Sequence, residues 1–71
     1  MQITQGKSYW GYNGNRLVER KVTLIETRSS GAKYVNWVHI KRDLSLGTHR
    51  WTEERKFRDW ALFEVGEDIE E

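Results

Sequence analysis

One stretch of this chain, His49 to Val65 (HRWTEERKFRDWALFEV), carries its apolar residues at helical spacing, while what precedes it alternates as strand does. A chain patterned in this way folds as a small sheet closed by one helix. Phe57, Trp60 and Ala61 fall at i, i+3 and i+4, so two rings and a small residue form one stripe expected to face the sheet. Thr52 is the expected N-cap, with Glu53 and Glu54 at the positive end of the helix dipole and Gly66 as the stop. The alternation Ala61, Phe63, Val65 equally allows a short closing strand after a helix of about two turns. Glu64 would fall inside the apolar stripe of a longer helix, which favours an end by Phe63.

At 71 residues the chain has room for one domain, and a domain of this size buries only about 60% of the surface its unfolded form exposes. Four Trp, three Tyr and two Phe supply much apolar area per residue, which lets a small core offset chain entropy without a metal or disulfide. With no Cys, disulfide frameworks, thiol nucleophiles and thiolate zinc sites are excluded together. No signal peptide or spanning segment shows, and the longest apolar run, Trp60 to Phe63, is too short for either, so a cytoplasmic setting without membrane contact is expected.

The formal charge of +1 hides a split. Residues 64–71, EVGEDIEE, hold five of the eleven acids and no base, leaving residues 1–63 with twelve bases against six acids. Residues 1–65 are expected to form a single basic β-rich domain, and 66–71 an acidic, flexible C-terminal tail that solvates the end or folds back on the basic face.

Met1 to Gln5 reads as a lead-in or edge strand, and Gly6 to Tyr12 as an aromatic-rich first strand. Asn13-Gly14 then signals a hairpin, because both residues tolerate positive φ. A second strand is expected from Arg16 to Glu26, with Val18, Val22 and Leu24 on one face and Leu17, Lys21, Thr23 and Ile25 on the other. Arg20 interrupts the first face. Two half-apolar faces on one long strand indicate a bulge that switches the buried side, as in a small closed barrel. Thr27 to Ala32 is a loop. The third strand, Lys33 to Arg42, is expected to turn Tyr34, Asn36, Val38 and Ile40 inward and Val35, Trp37, His39 and Lys41 outward. Asp43 to Gly47 is a turn, and Thr48 to Trp51 a short fourth strand.

The succession G-K-x-Y-W-G-Y, R-L-V-E-R-K-V-T-L-I-E, Y-V-N-W and W-T-E-E-R-K-F-R-D-W-A, spread over most of residues 6–61, resembles small uncharacterised phage and prophage proteins with an SH3-like barrel. In those proteins a basic strand after a Gly-aromatic strand, and a final T-x-x-x-x-F-x-x-W-A helix, recur. The resemblance implies a mobile-element origin and a role in binding or host interference. It carries over no functional residue.

Catalytic and metal constellations are poorly supported by the spacing. Gly6-Lys7-Ser8 ends like a phosphate loop, yet Met1 stands where the motif needs a Gly and no strand precedes it. His39 and His49 lie ten residues apart with no Cys, so a metal would need carboxylates recruited from elsewhere. Asp43, Ser45 and His49 crowd one turn, where a nucleophile, base and orienting acid do not readily align. Glu53 and Glu54 point about a hundred degrees apart on a helix, and suit dipole partners and a Glu54–Arg58 ion pair better than an acid and base. No enzyme and no cofactor are expected.

The remaining signal is basic residues interleaved with aromatics: Lys21, Lys33, Trp37, His39, Lys41, Arg42, His49 and Arg50. With the odd side of the third strand outward, Trp37, His39 and Lys41 form a row beside Lys21, rimmed by Arg42, His49 and Arg50. Such a face suits single-stranded DNA or RNA, with phosphates on the cations and bases stacked on the indole. If Trp37 is instead part of a two-sided core, that reading loses its platform. A host protein is the alternative partner, met by a surplus of aromatics (Tyr9, Trp10, Tyr12, Tyr34, Trp37) as a hot spot, or a homodimer burying Leu62 and Phe63. An aromatic cage for a methylated cation is a third reading. The sequence thus predicts a mainly β, SH3-like small barrel with one C-terminal helix, acting as a regulatory binder.

Overall fold

The first hairpin forms where the turn residues demand it. Gly14 takes a φ of 67°, the left-handed region that costs glycine nothing, and Asn13 pairs with Arg16 across a Gly14-Asn15 turn. In the computed structural model, residues 1–41, 43 and 45–66 are described. Arg42 and the acidic tail beyond Gly66, both the subject of expectations above, lie outside them. In chain order the elements are β1 (Ser8–Asn13), β2 (Arg16–Thr27), β3 (Lys33–Ile40), β4 (Leu46–Glu53), α1 (Glu54–Trp60) and β5 (Phe63–Glu64). They make a mainly β domain with one antiparallel sheet of five strands, ordered β4-β3-β2-β1-β5.

The closed barrel expected from the bent second strand is not formed. β4 and β5 stand at opposite ends of the sheet and do not pair with each other. The bend itself is present: the β2–β3 register shifts between Val22 and Leu24. On either side of that bulge Val22 and Ile25 both reach the core, although they differ in parity.

The core lies between α1 and one face of the sheet. Ile3, Tyr9, Val22, Val35, Trp37, Phe57 and Ala61 form it, with Ile25 and Trp60 packed at its margin. Phe57 is its centre, touching Tyr9 edge to face with ring centroids 5.8 Å apart, Trp37 at 6.4 Å and Trp60 at 5.2 Å. Burial of this one ring contributes about 1.5–3 kcal/mol. The stripe Phe57, Trp60, Ala61 therefore faces the sheet as its spacing implies.

Two expectations are corrected and two that stood open are decided. On β3 it is Val35 and Trp37 that face the helix, so Trp37 is a core residue, 8% exposed, and not an outward platform. The other set lies on the opposite face, where Val38 is fully buried between its ladder partners Lys21 and His49. Both faces of this strand are apolar, so alternation alone leaves its orientation open. Second, Thr52 belongs to β4 and does not cap α1: its Oγ1 accepts the Trp37 Nε1–H at 2.8 Å, and the helix begins after Glu53 without a side-chain cap. Third, of the two readings open for residues 61–65 the short strand is the one formed, and α1 ends at Trp60. After Ala61 the chain turns extended, and the Leu62 and Val65 amides donate to the Trp10 and Ser8 carbonyls at 2.8 Å each. The free edge of β1 offers these amides better partners than a frayed helical turn, which is the short closing strand that the Ala61, Phe63, Val65 alternation allowed. Last, the lead-in is not a strand. It folds beside β2 through Gly6 N–H to the Val22 carbonyl at 2.8 Å, buries Ile3, and sets Thr4 N–H on the Tyr9 hydroxyl at 2.7 Å.

Trp60 closes the margin of the core over β1. A Cβ placed on Gly11 would stand 2.4 Å from Trp60 Cε2, so only a glycine lets the indole lie on the strand. The ring is also tied down by its own Nε1–H, which donates to the Tyr12 carbonyl at 2.8 Å. Gly11→Ala must therefore displace Trp60 and should destabilise the domain by about 1–3 kcal/mol. Urea unfolding followed by circular dichroism checks this, and an unchanged midpoint would show that the indole is not seated on β1 in solution.

Candidate functional site

Seven-residue α1 is too short to cover the sheet face it packs on, and what it leaves open is basic. Ladder partners share a face, so the pairs Tyr9 with Arg20, Arg20 with His39, Val22 with Trp37, and Trp37 with Arg50 set Arg20, His39 and Arg50 on the core face, beside the buried part. Arg20, which breaks the apolar face of β2, lies where that face passes from core to solvent.

Its guanidinium is held between two indoles. The Arg20 Cζ lies 4.0 Å from the Trp37 ring centroid and 4.1 Å from that of Trp60. Contacts of this kind contribute about 0.5–2 kcal/mol each, more as water is excluded. Both indole N–H groups are spent internally, Trp37 on Thr52 and Trp60 on the Tyr12 carbonyl, so both rings have fixed orientations. The Arg20 guanidinium holds its proton less tightly than an ordinary arginine, first because it is partly buried and second because Arg50 carries the same charge nearby. It stays cationic at any physiological pH. Among the described residues no carboxylate pairs with it.

Around Arg20 opens a cleft of about 720 Å³ whose walls include Trp37, His39, Lys41, Thr48 and Arg50, with no carboxylate among the described residues that line it. A second hollow of about 650 Å³ adjoins it at the tip of the first hairpin. The two share Asn13, His39 and Lys41, and the second adds Arg16 along with one acid, Glu19. Elsewhere four cations are paired, Lys7 with Glu64 at 3.4 Å, Arg28 with Glu26 at 3.3 Å, Arg55 with Glu53 at 3.7 Å and Arg58 with Glu54 at 2.9 Å, while Lys21, Lys33 and Lys56 make no such pair among the described residues. The cleft itself thus brings Arg20, Lys41 and Arg50 together with no described carboxylate on its walls, which makes its potential positive.

Of the eight residues singled out by sequence, Trp37, His39, Lys41 and Arg50 come together at this cleft. Lys21 and His49 do not; they flank Val38 on the opposite face. Lys33 opens β3 opposite Thr27, at the far end of the strand from His39. Arg42 is outside the described residues. Sequence reasoning missed Arg20 and Trp60 as members of the site. Their signals were a charge inside an apolar alternation and a tryptophan at the last position of the helical stripe.

The other constellations are used structurally. Asp43 accepts both the Ser45 N–H at 2.9 Å and the Ser45 hydroxyl at 2.6 Å, a turn closed on its own backbone, and these bonds hold its carboxyl below the usual carboxylate range. His49 Nδ1 instead meets Asn36 Oδ1 at 2.9 Å, where the Thr23 hydroxyl also donates at 2.8 Å, so the three groups of a hydrolase triad do not converge. Among the described residues no three His, Asp or Glu side chains gather as metal ligands, and no helix is long and apolar enough to cross a membrane. Trp37 and Trp60 form two walls of an aromatic cage, but Arg20 of the same chain fills it. Of the surplus aromatics, Tyr9 is fully buried while Tyr12 is exposed.

No protein-family model, curated protein or solved structure matches the chain. Because Trp37 supports both the core and the Arg20 stack, Trp37→Ala should cost about 3–5 kcal/mol, enough to unfold much of a small domain. Arg50→Ala, at an exposed position, should change stability by no more than about 0.5 kcal/mol. Urea denaturation of the two variants separates them, and equal stabilities would contradict the buried position of Trp37.

Proposed function

We propose that this protein is a non-enzymatic binder that takes the phosphate backbone of a nucleic acid strand along the cleft beside α1. The observation that carries this reading is the concentration of Arg20, Lys41 and Arg50, with His39 between them, in a depression that no described carboxylate neutralises. The indoles are not available as stacking platforms, since Trp37 is buried and each ring has a face on Arg20. Recognition accordingly runs through phosphates, not through base stacking on Trp37, and is largely independent of sequence.

The meander order β4-β3-β2-β1-β5, with a helical turn before the last strand, supports an SH3-like barrel left open at one seam. With it comes the proposal of a phage or prophage type of protein, resting on the pattern of residues 6–61. A cytoplasmic location fits a nucleic-acid partner.

A host protein as partner is favoured by one different feature. Tyr12 and its ladder partner Leu17 are both exposed on the face opposite α1, and Phe63 is exposed where it pairs with Trp10. Leu62 beside them is half exposed, which also suits the homodimer reading.

The two readings separate on salt. Three cleft cations engaged by a single strand give a slope of log K against log salt of about −2, so affinity should fall about twentyfold between 50 and 200 mM salt. A fluorescent single-stranded oligonucleotide titrated at both salts tests this, with Lys41→Glu plus Arg50→Glu expected to abolish binding while leaving the fold intact. Absence of binding at the lower salt overturns the nucleic-acid reading. Salt-insensitive capture of a protein that is lost on Tyr12→Ala and Phe63→Ala would establish the second.

A further inference from the structure

We propose that Arg20 and Arg50 act together as a clamp for one phosphate oxyanion, with Arg20 as the rigid arm on the cleft floor and Arg50 as the exposed arm. This deepens the phosphate-backbone reading and rests on it for the source of the phosphate.

A partly buried arginine ordinarily has a carboxylate to compensate it. Arg20 has only the faces of two indoles, and ring faces take up the plane of a guanidinium without consuming its N–H donors, which point outward in that plane. No Arg20 hydrogen bond to a described residue is present, and no buried side-chain nitrogen in the described residues lacks a partner. The donor edge of Arg20 therefore reaches solvent within the cleft, unspent and already oriented. Because the rings are anchored through Thr52 and the Tyr12 carbonyl, little side-chain freedom remains to be lost on binding.

Arg50 supplies the second half. It pairs with Trp37 on β4 while Arg20 pairs with His39 on β2, so the two arginines flank β3 diagonally on one face. Strands lie about 4.8 Å apart and rise about 3.4 Å per residue, so two strand spacings and a two-residue offset put their backbones roughly 12 Å from each other, within reach of two long side chains directed at a common point. Two guanidiniums facing one cleft without a carboxylate repel each other, and an anion between them turns that repulsion into attraction. A carboxylate offers two oxygens in one plane and saturates one fork. Phosphate is tetrahedral and presents oxygens to two forks from different directions, so the pair selects phosphate over carboxylate.

The test uses the intact chain with uniform 15N labelling and follows the Arg20 Nε–H resonance during titration with inorganic phosphate, with sodium acetate at matched ionic strength as the second arm. The expected result is a saturable phosphate-induced shift, with acetate at least tenfold weaker. Arg50→Gln should weaken the phosphate response at least tenfold while leaving the indole resonances in place. Arg20→Lys keeps the charge but loses the fork and should do the same; if it fails to fold, Arg50→Gln still decides. Equal responses to phosphate and acetate, or a phosphate response unchanged in Arg50→Gln, would overturn the clamp. An oligonucleotide arm keeps the two claims apart. Oligonucleotide binding without a phosphate response at Arg20 removes the clamp and leaves the nucleic-acid reading standing. A saturable phosphate response without oligonucleotide binding retains the clamp and assigns it to a small phosphorylated molecule.

Discussion

Everything else in this domain depends on how Phe57 meets the sheet. Its ring touches Tyr9 from β1, Trp37 from β3 and Trp60 from its own helix, so one side chain joins three elements that are remote in sequence. A chain of this length has no second core to compensate a poor fit. The lead-in contributes Ile3 and the return strand follows Ala61, both placed around the same ring. Dense aromatic contact thus stabilises a small domain that has no cysteine for a disulfide.

The same contact creates the cleft. Seating Phe57 in the core that Val22 and Val35 share places Trp60 at the end of α1 over Gly11, where a side chain on β1 would exclude it. With Trp60 there and Trp37 anchored to Thr52, the two indoles stand apart by about the thickness of a guanidinium, and Arg20 fills the gap. Core and site are therefore continuous. The stack that finishes the hydrophobic packing is also what holds a cation rigid at the edge of solvent.

Much of this was legible in the residues, and the failures have physical causes. The hairpin was legible because Asn13-Gly14 tolerates positive φ, although the turn is centred one residue later on Gly14 and Asn15; the bulge was legible because β2 is half apolar on both sides, and the helix stripe because Phe57, Trp60 and Ala61 share no other period. The orientation of β3 was not legible: Val35 and Trp37 oppose Val38 and Ile40 with nearly equal apolarity, so period two gives no preference. The capping role expected of Thr52 failed because a tertiary partner, the Trp37 Nε1–H, competes for the same oxygen. The cleft was half legible. Trp37, His39, Lys41 and Arg50 alternate along neighbouring strands and were seen, whereas Arg20 registered only as an interruption and Trp60 only as core.

By itself the sequence determined a small, mainly β domain with one short helix, a basic body, an acidic end and no cysteine chemistry, because composition and local period decide these within a few residues of one another. The tertiary structure alone decided which face of β3 is buried, that the sheet stays open between β4 and β5, and that a lone arginine on an apolar strand stands between two indoles. Those outcomes depend on contacts between residues such as Arg20 and Trp60, forty positions apart in the chain. No local pattern encodes a partner at that separation; only the packing of Phe57 brings the two together.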